Sequence, residues 1–226
     1  MANQLDLEEQ EQLDQLKHFW NQYGNLLSGL LILVLAAVAA WNGYHYWQRS
    51  QATQSAAMFD EMSKSVAAGD MAMAQRTFSD MKERYASATY TLQAALALAR
   101  QASDQGQNDT AKSALQWVAD KSTDEAYVSI ARLRLANLYF DAKDYSQALG
   151  LLDGVKDDAF AALVADRKGD IFVAQEKRNE AKAAYLAAYQ KLDASAQYRR
   201  VVQVKLNALG IDPEASAAAK SAEGQK

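Results

Sequence analysis

From Asn21 to Gln48 the chain carries no Asp, Glu, Lys or Arg, and inside that run Leu26 to Val38 reads LLSGLLILVLAAV. At 1.5 Å of rise per helical residue, the ~20 residues that cross a bilayer core fit within it with room for tilt. Nine Leu, Ile or Val side chains between Leu26 and Val38, each favouring insertion by ~0.3–0.6 kcal/mol at the bilayer centre, contribute about 3–5 kcal/mol as an upper estimate. Trp20 and Tyr23 stand before the run and Trp41, Tyr44, Tyr46 and Trp47 near its end, the ring types that settle at headgroup depth. The run therefore predicts a transmembrane helix over residues 23–47. A buried core helix is the competing reading, but so long an uncharged stretch is hard to house in a small soluble domain. A cleavable signal peptide is the other, since Ala37-Val38-Ala39 offers small residues; yet the preceding segment is acidic rather than basic, and Trp41 to Tyr44 prolongs the apolar run beyond that point.

The charge is distributed unevenly. Asp6, Glu8, Glu9, Glu11 and Asp14 against Lys17 account for the whole formal charge of −4, so residues 1–22 form an acidic tail and the rest of the chain is neutral. A neutral domain lacks the clustered Lys and Arg that displace counterions from nucleic acid, and no nucleic-acid partner is expected. There are no cysteines, which excludes disulfides and thiolate metal sites and is compatible with either redox compartment. Lys17 on one flank of the span and Arg49 on the other leave orientation open on charge alone. In the tail, Leu13, Leu16 and Trp20 make an amphipathic stripe at i, i+3 and i+7; a solvated acidic segment is the alternative.

Beyond Gln48 no Pro or Gly occurs before Gly69, so helix rather than loose linker is expected to join span and domain. Ala52 to Leu209 is Ala-rich, shows one helical pattern after another and no strand alternation. Short polar turns interrupt it at Gly69-Asp70, Gln105 to Asp109, Lys143-Asp144 and Glu176 to Asn179. The fold class predicted is all-α, with antiparallel helix pairs joined by short turns.

These pairs repeat. Leu135-Ala136, Tyr139, the turn Lys143-Asp144-Tyr145 and then Ala148 follow the tetratricopeptide order of large and small residue, aromatic, turn and small residue. A shift of 33 residues brings Lys168-Gly169, Phe172, Ala181, Tyr185 and Ala188 onto those positions. Shifts of 37 in the other direction bring Leu98-Ala99, Ala102, Ala111 and Leu115, and then Ala74 and Phe78. Four degenerate pairs result, the first the weakest, with chance Ala periodicity as the alternative. Gln197 to Leu209, with Val201, Val204 and Leu209 among basic residues, suits a capping helix that closes the stack, ended by Gly210. The repeat domain is thus placed at 48–212 and a disordered tail at 213–226.

No chemistry stands out. His18 and His45 lie at opposite ends of the span, and neither a Gly-rich phosphate loop, a metal-spaced cluster nor a Ser/His/Asp set is available. The chain is read as non-enzymatic and no cofactor is expected. Arg132 and Arg134 with Asp166 and Asp170 suggest a buried ion pair between adjacent repeats. Ala36/Ala40 and Ala39/Gly43 permit close helix contact in the membrane. The register places Leu96 and Arg100, then Leu133, Asn137 and Phe140, then Asp166 and Asp170 along the groove face of the first helices. These are the candidate partner-binding residues, with Arg100, Asn137 and Asp170 at one equivalent position and a merely solvated row as the alternative.

Several blocks together resemble the YfgM-type ancillary subunits of the bacterial Sec translocon. They are the acidic start, Lys17-His18-Phe19-Trp20, the span ending in Tyr44-His45-Tyr46-Trp47, Ile130 to Ala136, and Phe160 to Asp170. The resemblance covers nearly the whole chain to Leu209 and is most specific from Leu133 to Gly169. It implies an inner-membrane protein with a cytoplasmic N-terminus and a periplasmic repeat domain. It also implies association with the translocon, with the periplasmic chaperone PpiD and with newly exported proteins. An envelope scaffold for cell division or wall synthesis is the alternative of the same general kind, and an enzyme with an unrecognised site the alternative of a different kind.

Overall fold

A computed structural model describes residues 7–214, with side chains from Glu11 onward. The expected acidic tail is therefore described only from Leu7, and of the expected C-terminal tail 213–226 only Pro213 and Glu214 lie within the described residues. The described elements are helices: α1 (Leu7–Ala67), α2 (Met71–Arg84), α3 (Thr89–Asp104), α4 (Asn108–Lys121), α5 (Glu125–Asp141), α6 (Tyr145–Asp153), a 3₁₀ turn (Asp158–Phe160), α7 (Ala161–Ala174), α8 (Arg178–Lys191) and α9 (Gln197–Ala208). No strand occurs among the described residues. The chain divides after Gln54 into two compact units.

The first unit is the N-terminal part of α1. It is long and apolar enough to cross a membrane, with a mean hydropathy of 2.0 over its most apolar window, only 6 % of which is buried. A core helix would have its Leu and Ile side chains covered, whereas Leu30, Leu31, Ile32, Leu33 and Leu35 are all exposed. Rings pair toward both ends of this stretch, Phe19 with Tyr23 at 5.2 Å and Trp41 with His45 at 4.6 Å. Such clusters suit the two interfaces of a bilayer.

The second unit, from Ser55, is a stack of antiparallel helix pairs whose local period is visible in the backbone. Four residues hold the left-handed conformation at equivalent turns: Gly69, Gly106, Lys143 and Glu176, with φ of 75, 73, 60 and 62°. After each, the next backbone N–H reaches back to a carbonyl in the preceding helix: Asp70 to Ser65, Gln107 to Ala102, Asp144 to Tyr139 and Lys177 to Phe172. This 6→1 bond ends one helix, and the following residue opens its partner. Asp70 and Asp144 strengthen the start by accepting from the N–H of Met73 and Gln147. Lys143 and Glu176 adopt a conformation that costs an L-residue ~1–2 kcal/mol, so packing rather than local preference holds those two turns.

That packing follows the register read from sequence. Ala74, Ala111, Ala148 and Ala181 are all 0 % exposed, and Phe78, Leu115, Leu152 and Tyr185, one turn later, are buried too. Ala99, Ala136 and Gly169 are buried on the facing helices. Small residues at these sites let the helix axes approach until the larger ones interlock. At Gly169 the approach is closest: a Cβ there would lie 2.4 Å from the Tyr185 ring. Met62 of α1 joins Ala74, Phe78 and Met81 in the core, so the end of α1 is the first helix of the first pair.

Helix α9 closes the stack on α8 but presents a different face from the one expected. Val202 and Leu206 are its buried residues, whereas Val201 and Val204 are 46 % and 63 % exposed. The buried stripe, Tyr198, Val202, Leu206 and Leu209, has the i, i+4, i+8, i+11 spacing of a helix face.

Candidate functional site

The seven groove candidates lie on the first helices of successive pairs, α3, α5 and α7, but three different environments receive them. Between α3 and α5 an open cleft of 360 Å³ is lined by Arg100, Ser103, Asp104, Arg134, Asn137 and Asp141, with Ala99, Leu115 and Leu138 contributing apolar wall. Leu96 and Leu133 are half-buried beside the core and do not line it. Arg100 is exposed and 3.9 Å from Asp104, one turn along the same helix. Arg134 donates from Nη1 to the Leu96 carbonyl at 3.3 Å, which ties α5 to α3. Burial first, and then the like charge of Arg100, lower the pKa of the Arg134 guanidinium from its usual value.

Between α5 and α7 the row narrows to a hollow of 20 Å³ bounded by Asn137, Phe140, Arg167 and Asp170. That is room for about one water. Phe140 packs against Tyr145 at 5.9 Å.

At α7 the row is occupied by the chain itself. Asp166 is 0 % exposed, and it accepts from Lys205 Nζ at 2.7 and 2.9 Å and from the Tyr198 hydroxyl at 2.6 Å. The same Lys205 donates to Asp170 Oδ1 at 2.7 Å, which also accepts from the Tyr185 hydroxyl at 2.7 Å; Arg167 reaches Asp170 Oδ2 at 3.2 Å. Burial, followed by the bond to Asp166, pushes the Tyr198 hydroxyl up to about 12; burial and the bond to Asp170 push Tyr185 up as well. With its carboxylate enclosed and saturated, Asp166 is not an accessible groove residue.

The ion pairing expected of Arg132 and Arg134 with Asp166 and Asp170 is likewise corrected. Arg132 donates to the Gly154 carbonyl at the end of α6, and Arg134 to Leu96, while both aspartates turn the other way to Lys205. Lys205, Tyr198 and Tyr185 were missed as their partners. The signal was present in α9, where Lys205 lies beside the apolar stripe, a position that a lysine tolerates when a carboxylate faces it.

A larger cleft of 850 Å³ sits at the α8–α9 turn, lined by Tyr189, Ser195, Gln197, Arg199, Arg200 and Glu214 among others. Arg199 stacks 4.1 Å over the Tyr189 ring there. No group of three or more His, Cys, Asp or Glu among the described residues is placed to hold a metal ion.

A stack of paired helices with buried small residues at each crossing, a polar cleft on the first-helix face and a long apolar N-terminal helix define a membrane-associated helical-repeat protein. Residues 17–211 match the tetratricopeptide repeat-like domain family. The chain belongs to that family, and within it to the group of ancillary SecYEG translocon subunits. It is 31 % identical to the protein so named in Neisseria gonorrhoeae, over 90 % of this chain and 98 % of that one. It is 28 % identical to that of Haemophilus influenzae and 27 % to that of Escherichia coli, each over 90 % of this chain and 98 % and 97 % of theirs. No solved structure matches it.

Proposed function

We propose that this chain is a non-enzymatic, membrane-tethered interaction module of the Sec translocon, holding partner proteins beside the site of export. The observation that carries this reading is the pairing of an uncovered apolar helix with an open polar cleft on a repeat surface, in a chain whose relatives bear the translocon name over nearly their whole length. An anchor keeps a weak binder at high local concentration, so modest affinity for each client suffices. The N-terminus lies in the cytoplasm and the repeat domain in the periplasm, where it meets a PpiD-type chaperone and newly exported chains. This orientation and these partners rest on the family resemblance.

The test is crosslinking in intact membranes followed by affinity capture of this chain. Recovery of SecY together with a periplasmic chaperone supports the reading, and recovery of division or wall-synthesis proteins in their place supports an envelope scaffold. In parallel, protease added to spheroplasts should digest the repeat domain. Its protection, with the outer membrane open, refutes the orientation.

A further inference from the structure

We propose that the 850 Å³ cleft at the α8–α9 turn is the docking site for this chain's own residues 215–223, which complete a fifth helix pair whose first helix is α9. The argument starts at Gly210. Its φ of 82° repeats the left-handed conformation of Gly69, Gly106, Lys143 and Glu176, and the Ile211 N–H reaches back to the Leu206 carbonyl at 3.0 Å. This is the same 6→1 bond that ends the first helix of each earlier pair, where a partner helix follows at once. Here too a helix opens. Asp212 accepts from the Glu214 N–H at 3.0 Å, and Pro213 stands buried at the first helical position, where its missing donor costs the helix nothing.

The cleft lies along the path such a helix takes. Pro213 and Glu214 border it, together with Arg199, Arg200 and Gln203 of α9 and Tyr189 of α8. In the preceding pair Gly169 meets Tyr185, seven residues before and nine after the turn residue Glu176. The same return about Gly210, with one extra residue before Pro213, sets Glu223 opposite Arg199 and Arg200. Arg199 lies 4.1 Å over the Tyr189 ring, and its Nε is buried without a hydrogen-bond partner among the described residues. Ala215, Ala218, Ala219 and Ala222 fall at i, i+3, i+4 and i+7, a stripe small enough to lie close on α9, and Gly224 follows as a stop. From Pro213 to Glu223 a helix spans ~16 Å, close to the ~18 Å of the 12 residues of α9. Composition alone predicts a disordered tail, because Ala and Ser bury too little apolar surface to fold by themselves; the cleft supplies the surface. A helix from another molecule would have to compete with a segment tethered at the cleft itself, whose effective concentration is in the ~mM range.

The test uses the full chain in detergent. It has no cysteine, so Gln203→Cys with Ala219→Cys should close an intramolecular disulfide under mild oxidation, read as a faster band on a non-reducing gel. Gln116→Cys, exposed on α4, paired with Ala219→Cys should not. Hydrogen exchange is the second readout, since a loose tail also meets nearby thiols. Amides of residues 216–223 should exchange about tenfold or more slower than in an unstructured chain, and removal of residues 215–226 should speed exchange in α9 by a similar factor. Exchange of residues 216–223 at the unstructured rate overturns the proposal, as does exchange in α9 that the truncation leaves unchanged. Equal closure from positions 203 and 116 overturns it too, and disulfides that form only between two molecules overturn it by assigning the cleft to a second copy.

Discussion

Gly169→Ala is the smallest change that probes how the repeats are held together. The added Cβ would lie 2.4 Å from Cδ1 and Cε1 of Tyr185 and 2.9 Å from Cζ, against an ordinary carbon contact of ~3.5–4.0 Å. The ring is buried and cannot swing into solvent, so it must shift by about 1 Å, at an overpacking cost of ~1–3 kcal/mol. That shift strains the Tyr185 bond to Asp170, now 2.7 Å, and a hydrogen bond to a charged group contributes ~1.5–3 kcal/mol. Alanine returns ~1 kcal/mol in helix propensity. The balance is a loss of about 2–4 kcal/mol, a fall of roughly 5–15 °C in melting temperature for a domain of this size. Thermal unfolding of the full chain in detergent, followed by circular dichroism at the helical band, measures it. Gly150→Ala is the control, because nothing lies within 4 Å of its added Cβ, and it should gain up to ~1 kcal/mol. If Gly169→Ala is as stable as Gly150→Ala, α7 and α8 do not pack as described.

Three further outcomes follow from the same structure. Asp166→Ala strips two partners at once, but Lys205 keeps Asp170 and some solvent, so the cost should be about 2–3 kcal/mol rather than that of a fully buried pair; a loss below ~0.5 kcal/mol in urea unfolding, typical of a surface site, would show that α9 is not latched there. Ala148→Leu should destabilise by ~1–3 kcal/mol through overpacking, whereas Lys143→Gly, at φ 60°, should be neutral or stabilising by up to ~1 kcal/mol; equal melting temperatures would refute the register. Because Tyr198 holds its proton up to about 12 in the folded chain, against ~10 unfolded, its contribution is full below pH 10 and is lost as pH rises through 12. Urea midpoints of the wild type should therefore fall more steeply over that range than those of Tyr198→Phe, and identical slopes would count against the buried bond.

The repeat register was legible because it is written in residue size. Small residues recur where axes cross, and Ala74, Ala111, Ala148 and Ala181 could be aligned without knowing what they touch. The four turns were legible for a related reason, since Gly or a polar residue must stand where the chain reverses. The groove was only half legible. Helical spacing places Asp166 on the same face as Leu96 and Leu133, but whether that face is open depends on what covers it. The cover is Lys205, which comes from a helix whose exposed Val201 and Val204 look, in sequence, like its buried Val202. Arg134 is legible in the sequence as a charge near Arg132. That it shares a cleft with Arg100 depends on how α3 and α5 cross, which no local pattern encodes.

The most direct test of the account is a photocrosslinking amino acid placed at Asn137, in the cleft, and separately at Gln116, exposed on α4, in cells with an active translocon. Crosslinks from position 137 to exported chains or a periplasmic chaperone, reduced by Arg100→Ala, with few from position 116, are the predicted result. Crosslinks of equal yield from both positions, or from position 116 alone, would contradict the claim that partners are held in the cleft between α3 and α5.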